Sequence, residues 1–133
     1  MTRVMYADET TSGERGPALG LDMAGERVSV REVIRRRVFQ EVAEFHARGS
    51  EGPFRGLVRP TAAEAELNGP RGPRHAPPRL DPERQFDAAV AAFARNGFLV
   101  LAGDRRLTDL DEEIDLVPDL EFTFLKLVPL VGG

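Results

Sequence analysis

The residues of this sequence best suited to chemistry are the last two, Gly132 and Gly133. Neither carries a side chain, so the end of the chain can enter a narrow channel and present a bare carboxylate. Such a carboxylate can attack the α-phosphorus of ATP and become an acyl-adenylate. Pro129 has no donor for a β-ladder, which predicts that Pro129, Leu130 and Val131 lie beyond the last strand. These three residues are therefore candidates for recognition of the tail, and the two glycines for its activation.

The rest of the composition offers little other chemistry. The sequence has no cysteine, which excludes disulfides, thiolate metal ligands and cysteine nucleophiles. Its two histidines, His46 and His75, stand far apart, so we expect no metal site, no cofactor and no enzymatic activity of the chain's own. His46 lies near the end of a predicted helix, where it is interpreted as a structural residue facing the helix dipole. His75 lies in a Pro/Arg-rich loop and is expected to be exposed.

Charge and hydropathy exclude further classes of partner. The formal net charge of −4 argues against general binding of nucleic acid. No apolar run reaches the roughly 18 residues that a membrane helix needs, so no membrane partner is expected. Residues 1–8 lack the apolar region of a secretory signal, which predicts a cytoplasmic protein.

The basic residues are 17 arginines and one lysine, Lys126. A GC-rich genome explains this bias, and the alternative is a chain that takes part in lysine chemistry.

The proline and glycine distribution predicts how the chain is organised. Seven of ten prolines and five of thirteen glycines fall within 49–82. We therefore predict a single domain over 1–133, with a loop insertion at 49–82 and a flexible tail at 129–133. A capping box at 61–64 predicts a short helix inside the insertion.

Periodicity predicts the elements before the insertion. Strands are expected at 3–8 and 19–23, and a capping box at 29–32 predicts the start of a helix that ends near Gly49. One face of that helix is apolar: Val30, Val33, Ile34, Val38, Val42 and Phe45. Arg35, Arg36 and Arg37 lie mostly off this face. They are interpreted as a solvated stripe, with contact to a partner or phosphate as the alternative.

After the insertion the pattern changes from a helix to strands. Asp81 and Pro82 form a helix start, and 96–97 close that helix. Strands are expected at 98–102, 105–107 and 122–128, and the last is apolar on both faces, as in the centre of a sheet. The element order predicts an α+β fold in which a mixed sheet grips a helix.

This arrangement resembles the β-grasp family, which includes ubiquitin, ubiquitin-like modifiers and the small subunit of molybdopterin synthase. Residues 98–107 resemble the strand and turn before the family's closing segment, 109–121 its acidic turn, and 122–133 its closing strand and tail. The resemblance is weaker over 3–48 and absent over 49–82. It implies a β-grasp fold with a packed helix, and this sequence departs from the family by a second helix and a Pro/Gly/Arg-rich insertion.

The same resemblance implies a function for the tail. Gly133 would be adenylated by a ubiquitin-activating-type enzyme and conjugated to target proteins through an isopeptide bond. A conjugating enzyme and a deconjugating metalloprotease would be further partners. A sulfur carrier with a C-terminal thiocarboxylate, used in cofactor or natural-product biosynthesis, is the first alternative. A non-covalent β-grasp interaction module is the second. The acidic stretch 109–121 is interpreted as a solvated turn, with docking to a basic activating enzyme as the alternative.

Overall fold

The computed structural model describes residues 2–47, 57 and 80–127, which form an α+β arrangement of seven strands and two helices. The strands are β1 (Thr2–Thr10), β2 (Leu19–Met23), β3 (Arg27–Ser29), β4 (Phe98–Ala102), β5 (Arg105–Leu107), β6 (Glu113–Asp115) and β7 (Glu121–Lys126). The helices are α1 (Val30–Ala47) and α2 (Pro82–Ala94).

Chain contacts group the described residues into two compact units. The first comprises 2–33 and 92–127 and holds all seven of these strands. The second comprises 34–47, 57 and 80–91. The chain enters the second unit within α1 and leaves it within α2. The expectations of a single domain and of a helix packed on the sheet stay predictions.

Five strands form one mixed sheet in the order β2-β1-β7-β4-β5. β1 and β7 run parallel side by side in its centre, with Tyr6 opposite Phe122, and every other neighbouring pair is antiparallel. β3 and β6 form a separate antiparallel pair with Val28 opposite Ile114. The prediction that the last strand lies inside the sheet is therefore confirmed over 121–126.

The two faces of the sheet differ in burial because side chains alternate along each strand. One face is the core of the first unit, and its buried members include Val4, Tyr6, Leu21, Met23, Phe98, Val100, Leu107, Phe122 and Phe124. The ring of Phe124 lies 5.9 Å from that of Tyr6 and 6.2 Å from that of Phe98. The opposite face, called here the outer face, carries the half-buried Met5, Leu99, Leu101, Thr123 and Leu125.

The start of α1 follows the predicted capping box. The Ser29 hydroxyl accepts the Glu32 N–H at 3.2 Å, and the Val30 N–H donates to the Glu112 carbonyl at 3.0 Å. These bonds satisfy donors that the first turn of a helix leaves free. All six residues of the predicted apolar face are buried.

The interpretation of the arginine triplet as a solvated stripe is wrong at Arg37. Its side chain is 1% exposed, and its Nε lies 3.1 Å from Oε1 of Glu41. Arg35 is half-buried, and Arg36 is exposed as expected. Position 37 precedes the buried Val38 and lies one turn after Val33, at the border of the apolar face. A guanidinium is buried there because a carboxylate one turn later lies within hydrogen-bonding distance.

α2 begins and ends as the sequence predicts. The Asp81 carboxylate accepts the Glu83 N–H at 3.0 Å, and Pro82 is the first helical residue. At the other end Asn96 has φ +59°, and the Gly97 N–H donates to the Ala92 carbonyl at 2.7 Å. This six-to-one bond with a left-handed residue is a Schellman ending. The short helix predicted from 61–64, the stop at Gly49, His75 and Val128 lie outside the described residues.

Candidate functional site

The predicted site residues lie just beyond the described part of the chain. Pro129, Leu130, Val131, Gly132 and Gly133 all fall within 128–133, outside the described residues. The structure does show the strand that leads into them. β7 is hydrogen-bonded to β1 on one side and to β4 on the other, so the chain approaches the tail from the centre of the sheet.

The end of β7 is held by a backbone bond and an ion pair. The Thr11 N–H donates to the Lys126 carbonyl at 3.2 Å. The Lys126 ammonium lies 3.3 Å from the Asp8 carboxylate, and the two side chains are 34% and 32% exposed. Sequence reasoning placed Lys126 within the last strand, and the structure shows it as the final residue of β7. That reasoning missed Asp8 because only the parallel pairing of β1 and β7 brings the two residues together.

A second charged cluster lies on the outer face beside the same strand. Arg15 forms ion pairs with Glu9, at 3.2 Å, and with Glu121. The connection after β1 folds back, since the Thr10 N–H donates to Glu14 and the Gly16 N–H donates to Asp8. This return places Arg15 beside Glu9. The cluster lines a cavity of about 430 Å³ together with Leu101, Gly103, Asp104, Thr123 and Leu125.

Four arginines of the same unit form ion pairs with five of the seven acidic residues in the stretch 109–121. Arg27 lies 2.9 Å from Asp115 and 3.7 Å from Glu113, and the hydrogen bond and charge of Asp115, followed by the charge of Glu113, raise the pKa of Arg27. Arg31 lies 3.3 Å from Asp111, and Arg105 pairs with Glu112. Pairing within the chain leaves less negative charge for a basic enzyme, which favours the interpretation of a solvated segment. The stretch also contains β6, which sequence reasoning did not predict.

In the second unit two polar side chains of α1 accept hydrogen bonds from backbone amides of later segments. His46 accepts the Leu80 N–H on Nε2 at 2.9 Å, so its role is structural as expected, although its partner is a backbone amide of the segment before α2. Glu41, the partner of Arg37, also accepts the Leu57 N–H at 3.2 Å.

Arg35 joins α1 to α2 within the second unit. Its two terminal nitrogens lie 3.3 Å and 2.8 Å from the two carboxylate oxygens of Glu83. Its guanidinium carbon lies 4.3 Å from the ring centre of Phe39 and 5.2 Å from that of Phe86. Bidentate pairing and stacking on aromatic rings are the contacts for which an arginine is better suited than a lysine.

In residues 2–47, 57 and 80–127 no group of three or more His, Asp or Glu side chains is arranged to hold a metal ion. No helix in that part of the chain has the length and apolar character needed to cross a membrane.

Comparison with known proteins found no matching family model, no matching curated protein and no matching solved structure.

Proposed function

We propose that this chain is a ubiquitin-like protein modifier of the β-grasp type, activated at the Gly133 carboxylate. The observation that carries the proposal is the place of β7. It is the last described strand, it lies in the centre of the mixed sheet parallel to β1, and it leads directly into the residues before the Gly-Gly pair. A mixed five-stranded sheet with two helices is compatible with a β-grasp fold.

The proposed chemistry requires that the strand before the tail is held in place and that the end of the tail carries no obstructing side chain. Backbone hydrogen bonds to the two neighbouring strands, β1 and β4, hold β7 in place. The Gly133 carboxylate attacks the α-phosphorus of ATP, and pyrophosphate leaves. A nucleophile of the activating enzyme or an amine of the target then attacks the acyl carbon, and AMP leaves. Glycine at both final positions removes the Cβ that would obstruct a narrow channel.

The alternative of a sulfur carrier draws support from one feature of the sequence. The residues before the glycines are Val128, Pro129, Leu130 and Val131, without the arginine-rich approach of ubiquitin. In this case hydrosulfide supplied by a sulfur donor attacks the acyl carbon of the adenylate, AMP leaves, and the product is a thiocarboxylate for cofactor or natural-product biosynthesis. The third candidate is a non-covalent interaction module in which the Gly-Gly pair has no role.

Mass spectrometry of a tagged copy expressed in the native host separates these three functions. Trypsin cuts after Lys126, so a conjugated chain leaves residues 127–133 attached to an acceptor peptide. That remnant on other proteins supports the modifier. An intact mass raised by the exchange of one oxygen for sulfur supports the carrier instead. A matched copy lacking Gly132 and Gly133 must lose either signal. If the full copy shows neither, the interaction module is favoured.

A further inference from the structure

The chain carries a single lysine, Lys126, and its ammonium forms an ion pair within the fold. Lys126 is the final residue of the central strand, with Thr10 opposite on β1 and Phe98 opposite on β4. Its ammonium lies 3.3 Å from Asp8, and about two-thirds of its side chain is covered, since 34% is exposed.

The exposed basic positions are arginines. The side chains of Arg3, Arg27, Arg84 and Arg105 are between 60% and 67% exposed, roughly twice as much as that of Lys126. A guanidinium stays protonated in proteins and does not form an isopeptide bond under conditions in which a lysine amine does. These exposed cationic side chains of the described residues are therefore unable to accept an acyl group.

Acylation of Lys126 would require three changes at this place. The ammonium must leave Asp8, lose its proton, and extend from a strand flanked on both sides to the acyl carbon of a second copy. The amine nitrogen then attacks that carbon, AMP or the enzyme's nucleophile leaves, and an isopeptide bond forms. The product would lack the charge that pairs with Asp8, whose side chain is 32% exposed.

We infer that Lys126 is a structural lysine and that this modifier does not form lysine-linked chains of itself, so the lysines that it modifies belong to other proteins. This inference rests on the proposed modifier function. It predicts that a copy attached to a target is not extended through Lys126, and that Asp8 is the residue that keeps Lys126 from acylation.

Competitive labelling tests the state of Lys126 independently of the proposed function. Arg106 is exposed on β5, so Arg106→Lys introduces a reference lysine into the same sheet. A limiting amount of an acetylating N-hydroxysuccinimide ester is added to the folded variant, and labelling of both lysines is measured by mass spectrometry. We expect Lys126 to react several-fold more slowly than the lysine at 106. Asp8→Asn in the same background should reduce that difference. Equal rates at both lysines in Arg106→Lys would overturn the inference.

Conjugation in the native host tests the inference in its functional form. Trypsin cannot cut after an acylated Lys126, so a lysine-linked chain gives a branched peptide of residues 107–133 carrying a second 127–133 segment. We expect remnants on other proteins, no branched peptide, and the same set of conjugates from Lys126→Arg. A branched peptide, or high-mass conjugates lost in Lys126→Arg, overturns the inference and leaves the modifier function standing. Absence of every remnant overturns the modifier function and this inference with it.

Discussion

Arg37 and Glu41 lie one helical turn apart on α1 and form a buried ion pair, with Nε of Arg37 3.1 Å from Oε1 of Glu41. Arg37 is 1% exposed and Glu41 is 12% exposed at their side chains. Such a pair offsets the cost of removing two charges from water only while both partners remain. Glu41 also accepts a hydrogen bond from the Leu57 N–H.

Removal of one partner should therefore be strongly destabilising. Glu41→Gln removes a carboxylate that pairs with a buried guanidinium, and we expect the free energy of unfolding to fall by about 3 kcal/mol. Urea denaturation followed by circular dichroism measures the change. Glu44→Gln is the matched control, because Glu44 is exposed on the same helix, and its effect should stay within about 0.5 kcal/mol. Equal effects of the two substitutions would show that the Arg37–Glu41 pair is not buried in solution.

The hydrogen bond from the Leu80 N–H to His46 should stabilise the backbone at Leu80, just before α2. His46→Phe removes the acceptor of a buried amide, and we expect a loss of about 1–3 kcal/mol in the free energy of unfolding. His46→Gln retains an acceptor oxygen and should cost less. Amide hydrogen exchange of Leu80 gives the local readout, and protection should fall most in the phenylalanine variant. Unchanged protection of Leu80 in His46→Phe would contradict the assignment of this hydrogen bond.

The β4–β5 turn should require glycine for its backbone rather than for space. Gly103 has φ +60°, and a Cβ there would meet no atom within 4 Å. Gly103→Ala should therefore lower the free energy of unfolding by about 1–2 kcal/mol through backbone strain alone. Gly16→Ala is the control, because Gly16 lacks a positive φ and its Cβ would have only an ordinary contact at 3.8 Å. That substitution should be neutral or slightly stabilising. A reversed order in thermal melts would contradict the turn geometry.

Gly133 should be needed for activation and dispensable for the fold. Under the proposed function, Gly133→Ala places a methyl group where the carboxylate meets ATP, and in-line attack tolerates little displacement. We expect a severe loss of ATP–pyrophosphate exchange with the cognate activating enzyme, and a loss nearly as large for Gly132→Ala. The melting temperature of both variants should match that of the wild type. Exchange that persists in Gly133→Ala would show that the Gly-Gly pair is accidental and would favour the interaction module.

The sequence alone determined the features set by a few neighbouring residues. Ser29 and Asp81 cap the helices that follow them, and the Asn96-Gly97 pair ends α2. The strand predicted at 19–23 is also present, with Leu21 and Met23 buried but Leu19 exposed, and Gly103 lies in the turn between the strands predicted at 98–102 and 105–107. Each depends on the hydrogen-bonding groups and backbone freedom of adjacent residues, so local sequence contains the needed information.

Only the tertiary structure decided the contacts between distant segments. The pairing of β1 with β7 joins residues more than a hundred positions apart and brings Asp8 to Lys126. The burial of Arg37 depends on a carboxylate close enough to compensate its charge, which a helical pattern of apolar residues does not report. A strand's alternation shows which side chains share a face but not which strand lies beside it. The partners are selected by the packing of the whole core, because each pairing is stable only when its buried face is covered.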